Sequence, residues 1–192
     1  ILHTDELTYS VAGSADEPVL SGGILESYNR LAQALLHAVE SLSVPVEMKE
    51  HEDGHTQQNL NPVCFEVPST YEITVNGKKL IGSAQARKKE GVLQHGSLPL
   101  TGDLTRICDA LIFENESVRE AAKERLLARA TTVESVLGVA VAWETAAQAF
   151  VRGFEARLGI QFERGELSSS EIQRTDELVK EKYAHPAWTE RS

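Results

Sequence analysis

The chain has 192 residues, of which 41% are hydrophobic and 25% charged, as is typical of a globular protein with a substantial core. The formal net charge of −10 disfavours binding to nucleic acid, and no apolar run in the sequence is long enough to cross a membrane. Two cysteines do not make a disulfide framework, so the composition predicts a protein of the reducing cytoplasm.

Four elements are predicted in the first 63 residues. Weak alternation of apolar and polar residues over positions 1–11 predicts a strand that ends at Gly13. Residues 24–42 form a predicted helix capped by Ser21, because apolar side chains recur at three- and four-residue steps: Ile24, Tyr28, Leu31, Leu35, Val39 and Leu42. A short strand over 44–48 and a polar loop over 49–63 follow.

The next stretch predicts a β-hairpin with two different faces. Asn76-Gly77, the two-residue hairpin signal, follows the strand Tyr71–Val75. The turn predicts a register that places Val75 opposite Lys78, Thr74 opposite Lys79, Ile73 opposite Leu80 and Glu72 opposite Ile81. One face is then formed by Tyr71, Ile73, Val75, Leu80, Gly82 and Ala84. The polar face carries Glu72, Thr74, Lys79, Ser83 and Gln85, with Ile81 as its one apolar residue.

Beyond a turn at 88–91 and a strand over 92–100, the sequence becomes helical. Helices are predicted over residues 104–111, 117–130, 133–137, 140–158 and 169–182, with Ser117 and Glu120 forming a capping box. The fourth helix is expected to face inward through Trp143, Ala147, Phe150, Val151 and Phe154, and residues 160–162 are a candidate strand. Because strands precede helices, the predicted fold is α+β, a mixed and largely antiparallel sheet flanked by helices, in one domain over residues 1–192.

Residues 61–100, NPVCFEVPSTYEITVNGKKLIGSAQARKKEGVLQHGSLPL, carry a resemblance to a known family. They contain, in order, a Cys-Phe step, a Pro-Ser-x-Tyr-Glu strand, a Gly-basic-Lys turn, a Gly-Ser-Ala-Gln-x-Arg strand and a Leu-Gln-His-Gly-Ser strand. This pattern resembles the biotin/lipoate protein ligase and lipoyl transferase superfamily. It is most similar to the octanoyltransferases that move octanoyl from acyl carrier protein to the H protein of the glycine cleavage system.

The resemblance implies a fold, an activity and partners. The fold is that of a class II biotin/lipoate ligase-like catalytic domain, and the activity is a cytoplasmic acyltransferase of lipoate biosynthesis. Octanoyl-acyl carrier protein is the implied donor, a lipoyl-accepting protein such as the H protein the implied acceptor, and no cofactor is implied. In the family an Arg-rich, Gly-Gly segment precedes the matching residues. We therefore expect a catalytic domain that lacks its N-terminal segment, or a separate chain that supplies it.

Cys64 matches the nucleophile of the family. A thiol exchanges readily with a thioester and leaves a thioester that an amine attacks, so no ATP is needed. A buried structural role is the more common fate of a free cysteine. The segment between Pro62 and Pro68 is, however, neither a helix nor a strand interior. Cys108 lies at helical spacing with Leu104, Ile107 and Leu111, which predicts core packing.

Lys79 matches the essential lysine of the family, and the hairpin register independently places it on the polar face. There an ammonium would neutralise the thiolate, hold the thioester carbonyl oxygen and manage protons during attack by the acceptor amine. The alternative is a solvated turn lysine, which most Asn-Gly-Lys-Lys sequences would carry.

Small residues in the following strand predict close approach by an acyl chain or by a packed helix. The predicted substrate-binding residues are Gly82, Ser83, Ala84, Gln85, His95, Gly96 and His3, the last three through the resemblance. His51 and His55 have no third partner at metal-binding spacing, so no metal site is predicted.

Two other functions remain open from the sequence. An ATP-dependent lipoate or biotin protein ligase would use Lys79 to bind an acyl-adenylate and would leave Cys64 idle. A non-catalytic acyl-protein-binding subunit would need a partner chain that supplies the N-terminal segment.

Overall fold

The computed structural model describes residues 3–50 and 71–190, and for Lys49, Glu50 and Tyr71 it describes the backbone alone. The chain divides into two compact units, Ile1–Ile160 and Gln161–Ser192, where the sequence predicts one domain. The first unit contains strands β1 (Glu6–Gly13), β2 (Glu47–Glu50), β3 (Tyr71–Val75), β4 (Lys78–Lys88) and β5 (Gly91–Pro99). Its helices are α1 (Ile24–Glu40), α2 (Arg106–Asp109), α3 (Glu116–Arg129), α4 (Val133–Leu137) and α5 (Trp143–Leu158).

The five strands form one sheet in the order β1-β5-β4-β3-β2, and every pairing within it is antiparallel. Strand β4 connects the two halves of the sheet. Its first residues pair with β3 and its residues from Gly82 onward pair with β5. The predicted α+β class with a largely antiparallel sheet is therefore confirmed.

A β-bulge in the β3–β4 hairpin changes the predicted register. Val75 lies opposite Lys78 and Thr74 opposite Lys79, as predicted. The register then shifts, so that Ile81 and not Leu80 lies opposite Ile73, and the predicted Glu72–Ile81 pair is wrong. An extra residue lets two successive apolar side chains face the core, and Leu80 and Ile81 expose only 0% and 3%. The bulge thus explains why Ile81 breaks the predicted alternation.

One face of the sheet packs against α1 and α5. Apolar side chains from these helices and from the strands form a single core, which includes Leu31, Leu35, Val39, Leu98, Phe150 and Phe154. The two helices approach closely because Gly153 has no side chain. A Cβ atom at this position would lie 2.7 Å from the Ala34 carbonyl oxygen and 2.8 Å from the Ala38 Cβ atom.

Two predicted helix caps are wrong. Helix α1 begins after Gly23, whose N–H donates to Glu26 Oε2 at 2.7 Å, and Ser21 lies outside the helix. Helix α3 begins after Asn115, whose side chain accepts from the Val118 N–H, so Ser117 is already helical. Asparagine is as good an N-cap as serine, and the extended backbone at position 115 decides between them.

Two predicted inward positions of α5 are also wrong. Trp143, the first residue of the helix, is 53% exposed, and Val151 is 41% exposed. Phe150 and Phe154 are buried as predicted. Cys108 is completely buried, which confirms its predicted place in the interior.

The second unit is helical. It contains α6 (Ser169–Leu178), a π-helical turn (Val179–Tyr183) and α7 (Pro186–Thr189), and Ser168 caps α6 through the Glu171 N–H. The Tyr183 and Trp188 rings meet edge to face, with centroids 5.2 Å apart. Residues 160–162 are not in a strand, contrary to the prediction. In the described parts of both units, none of the helices has the length and apolar character needed to span a bilayer.

Candidate functional site

Lys79 is a buried lysine on the polar side of the hairpin. It is 7% exposed, and its Nζ atom lies 2.9 Å from Glu72 Oε1. Thr74, directly opposite Lys79 in the register, is 2% exposed and donates to the Glu47 carbonyl oxygen. The predicted grouping of Lys79 with Glu72 and Thr74 on one face is therefore confirmed.

Lys78 has a different environment although it is the adjacent residue. Its Nζ atom donates to the carbonyl oxygen of Leu127, near the carboxyl end of α3, at 2.6 Å in an exposed position. An ammonium at that end of a helix satisfies an unpaired carbonyl group and complements the helix dipole. Lys78 is therefore not simply a solvated turn residue.

Small residues line the face of the sheet that lies opposite α1 and α5. Ala84 on β4 pairs with His95 on β5, which in turn pairs with Ser10 on β1, and all three residues are exposed. Further along the same face, Ala86 lies opposite Leu93, which is 44% exposed. We call this surface the open face. The surface is partly apolar, and the side chains at Ser10, Ala84 and Ala86 are small.

Gly82 and Lys79 belong to this same side of β4. Strand residues alternate, and the bulge at Leu80 adds one residue between them, so both lie opposite the helix-packed side. Gly82 pairs with Ser97, which is only 4% exposed. The open face therefore leads from the exposed pair Ala84–His95 toward the buried pair Lys79–Glu72.

Ser83 and Gln85 lie on the helix-packed side, not with Lys79 as predicted. The Ser27 hydroxyl of α1 donates to Gln85 Oε1 at 3.0 Å, and Gln85 Nε2 donates to Gln94 Oε1 at 3.0 Å. Gln94 Nε2 then donates to the Tyr9 hydroxyl at 3.0 Å, which lies 2.7 Å from Ser83 Oγ. We call these five side chains the polar chain. Because of the bulge, Ser83 and Gln85 lie on the side away from the open face, where Gln85 bonds to α1 and Ser83 bonds to Tyr9 of β1.

Gly96 also faces the helix layer. It pairs with Tyr9 on β1, and the Tyr9 ring continues to Phe150 and Phe154 at centroid distances of 5.8 and 6.2 Å. A Cβ atom at position 96 would lie 2.4 Å from the Gly82 carbonyl oxygen and 2.8 Å from Tyr9 Cε1. The absence of a side chain at Gly96 therefore makes room for the aromatic ring beneath the sheet.

His3 lies before β1 in an exposed position, and its Nδ1 atom contacts Glu6 Oε1. Cys64, His51 and His55 lie outside the described residues. In the described part of the chain, no group of three or more histidine, cysteine, aspartate or glutamate side chains is arranged to hold a metal ion.

Burial of Tyr9 gives a measurable dependence of stability on pH. Loss of hydration raises the pKa of Tyr9 from 10.0 to about 12, against the opposing effect of its hydrogen bonds to Ser83 and Gln94. The unfolded chain loses this proton first, so stability that is fully present below pH 10 should fall as the pH rises to 12, by up to about 3 kcal/mol.

The measurement is urea unfolding of the wild type and Tyr9→Phe between pH 8 and 12. At pH 8 the variant should be less stable, because Gln94 and Ser83 lose a hydrogen-bond partner. Above pH 10 the wild-type free energy of unfolding should fall toward that of the variant. Parallel curves for the two proteins would show that Tyr9 titrates alike in both states.

The comparisons with known proteins agree on one family. The family described as "Lipoyl protein ligase A/B catalytic domain" matches residues 1–155. Octanoyltransferase LipM of Moorella thermoacetica is 39% identical over 191 residues, which cover 100% of this chain and 70% of the relative. Octanoyltransferase LipM of Bacillus subtilis is 33% identical over 192 residues, which cover 98% of this chain and 69% of the relative.

Solved structures show the same fold. The bi-partite lipoate protein ligase of Thermoplasma acidophilum, studied with its E2 lipoyl domain, matches with a TM-score of 0.74 and 23% identity, over 96% of this chain and 63% of that chain. A lipoate-protein ligase A bound with ATP matches with a TM-score of 0.68 and 22% identity, over 96% of this chain and 64% of that chain. This chain thus spans less than two thirds of either ligase, and at these identities the likeness is one of fold.

Proposed function

Because the chain belongs to the lipoyl protein ligase A/B catalytic-domain family, we propose that its protein is an octanoyltransferase of lipoate biosynthesis. It moves octanoyl from acyl carrier protein to a lysine of a lipoyl-accepting protein, such as the H protein of the glycine cleavage system. The observation that carries this proposal is the match of 98% to 100% of this chain to octanoyltransferases at 33% to 39% identity. The activity is that of an acyltransferase.

The proposed reaction has two steps. The Cys64 thiolate attacks the thioester carbonyl carbon of the donor, forms a new thioester and releases the carrier thiol. The acceptor amine then attacks the Cys64 thioester, loses a proton, forms an amide and releases the Cys64 thiol. Each step exchanges one acyl bond for another. No cofactor is required, because the octanoyl group arrives already activated.

Lys79 and the open face supply what this reaction needs from the described residues. A buried ammonium is a preorganised charge that stabilises the oxyanion formed when a thioester carbonyl is attacked. The exposed, small side chains at Ala84 and Ala86, with Leu93 beside them, fit a flexible acyl chain laid along the sheet. Gly82 and His95 complete the proposed acyl floor, and His3 is proposed to lie at its edge.

The ligase alternative differs in its energy source. A ligase activates free octanoate with ATP, uses Lys79 to hold the adenylate and has no use for a nucleophilic thiol. The octanoyltransferase relatives favour the thioester route for this chain. A thiol nucleophile works only while reduced, which agrees with the cytoplasmic location that the composition predicts.

The deciding experiment is octanoyl transfer without ATP or magnesium. The full-length protein is incubated with octanoyl carrier protein and a lipoyl-domain acceptor, and the mass of the intact acceptor is measured by mass spectrometry. We expect an octanoylated acceptor lysine without any nucleotide. Product that forms only from free octanoate and ATP would establish the ligase instead. Absence of product under both conditions would favour a non-catalytic acyl-protein-binding subunit.

A further inference from the structure

Glu72 and Lys79 form an ion pair that is nearly enclosed. Their Oε1 and Nζ atoms are 2.9 Å apart, and the two side chains expose 11% and 8% of their surface. The pair between Asp5 and Arg106 has the same 2.9 Å separation but exposes 44% and 50%. Two charges that have lost most of their water attract each other more strongly than an exposed pair does.

The backbone around Lys79 is fixed from two sides. On one side Lys79 pairs with Thr74 of β3. On the other it bridges to Ala130, and its carbonyl oxygen accepts from the Thr131 N–H at 3.0 Å. The Cα atom therefore cannot move far, and the flexible part of the lysine is its four-carbon stem. A carboxylate on the adjoining strand is placed to hold the end of that stem.

We propose that Glu72 is a positioning residue that holds the Lys79 ammonium in one place during octanoyl transfer. This inference rests on the proposed function. Without the carboxylate, the stem of the lysine samples more rotamers. A transition state that needs one fixed positive charge would then form more slowly, while binding of the acyl donor would change little.

A double-mutant cycle on the full-length protein tests the proposal. Glu72→Gln keeps the size of the side chain and removes its charge, and Lys79→Met keeps the length of the stem and removes its ammonium. We expect Glu72→Gln to slow single-turnover transfer at least about tenfold, with the KM for octanoyl carrier protein within threefold of wild type. In the Lys79→Met background Glu72→Gln should have no further effect on the rate. Glu72→Asp should recover part of the lost rate.

Controls separate this role from a loss of folding. The fraction of protein that reacts at completion should match wild type in Glu72→Gln, because positioning changes a rate and not the number of active molecules. Glu116→Gln breaks an exposed pair with Arg119 and should leave the rate unchanged. Effects of Glu72→Gln and Lys79→Met that multiply in the double variant would overturn the proposal, since Glu72 would then act independently of Lys79.

A second measurement, of the chemical reactivity of Lys79, does not depend on transferase activity. Acetylation by an N-hydroxysuccinimide ester, followed by peptide mass spectrometry, compares Lys79 with Lys78 as an internal reference. We expect Glu72→Gln to raise the labelling of Lys79 relative to Lys78 at least about threefold, because an amine that the Glu72 carboxylate no longer holds reaches the reagent more readily. An unchanged ratio would overturn the proposal. A wild type that makes no octanoylated acceptor would overturn the proposed function, while the labelling ratio would still show whether Glu72 controls Lys79.

Discussion

Replacing Cys64 by alanine should abolish both the octanoyl adduct on the protein and transfer to the acceptor. The reason is chemical, since alanine has no group that forms a thioester, and loss of an enzyme's nucleophile costs on the order of a thousandfold or more in rate. The measurement is intact mass spectrometry after incubation with octanoyl carrier protein alone. Wild type should gain one octanoyl group, which hydroxylamine removes because it cleaves thioesters.

Cys108→Ala is the matched control for this experiment. Cys108 is the other cysteine of the sequence, and it is completely buried in the first unit. A completely buried thiol is out of reach of the octanoyl donor, so the adduct should persist in Cys108→Ala. An adduct that survives in Cys64→Ala and disappears in Cys108→Ala would reverse the assignment of the nucleophile. An adduct present in both variants would end the covalent-cysteine mechanism.

Local sequence signals predicted most of the sheet. Asn76-Gly77 fixed the turn and the first two pairs of the hairpin, because a two-residue turn with positive φ at both positions leaves no freedom in register. The alternation of apolar and polar residues then predicted the strands. Apolar residues at three- and four-residue spacing predicted α1 and α5. These signals lie within a few residues of one another, so they can be read from the sequence before the fold is known.

The bulge at Leu80 could not be predicted in the same way. It depends on two separate partners of β4, since the strand changes from β3 to β5 within a few residues. Its consequence is large, because every side chain from Ile81 onward changes sides relative to an unbroken hairpin. Ser83 and Gln85 were predicted beside Lys79 and instead join the polar chain with Tyr9 of β1. The signal in the sequence was Ile81, the one apolar residue on the face predicted to be polar.

The prediction for Gly96 shows a related limit. The resemblance singled out Gly96 as a substrate-binding residue, but a glycine in a strand is explained equally by a ligand above the sheet or by an aromatic ring beneath it. Only the pairing of Gly96 with Tyr9 across β1 and β5 decides that the ring occupies the space. By contrast, Glu72 was placed on the Lys79 face by the turn alone. The sequence could not predict that Glu72 and Lys79 are in contact at 2.9 Å or that both side chains are buried.

Lys79→Ala should lose most transfer activity, on the order of 100-fold or more, because it removes a fixed charge aimed at a developing oxyanion. It also removes the ammonium that Glu72 contacts at 2.9 Å, so we expect a loss of stability beside the loss of rate. Circular dichroism and the fraction of reactive protein must therefore accompany the rate. Lys79→Met combined with Glu72→Gln removes both charges, and it should be folded and still inactive.

Lys78→Ala is the matched control, since it is the neighbouring lysine on the opposite side of the strand. It loses one exposed hydrogen bond to the Leu127 carbonyl oxygen, so we expect a stability cost of about 0.3–1 kcal/mol and a transfer rate near that of wild type. Lys79→Arg should be slow as well. A guanidinium keeps the charge, but it is larger than the buried ammonium that it replaces and does not readily give up a proton. Equal transfer rates for Lys78→Ala and Lys79→Ala would mean that the buried Lys79 ammonium has no part in the reaction.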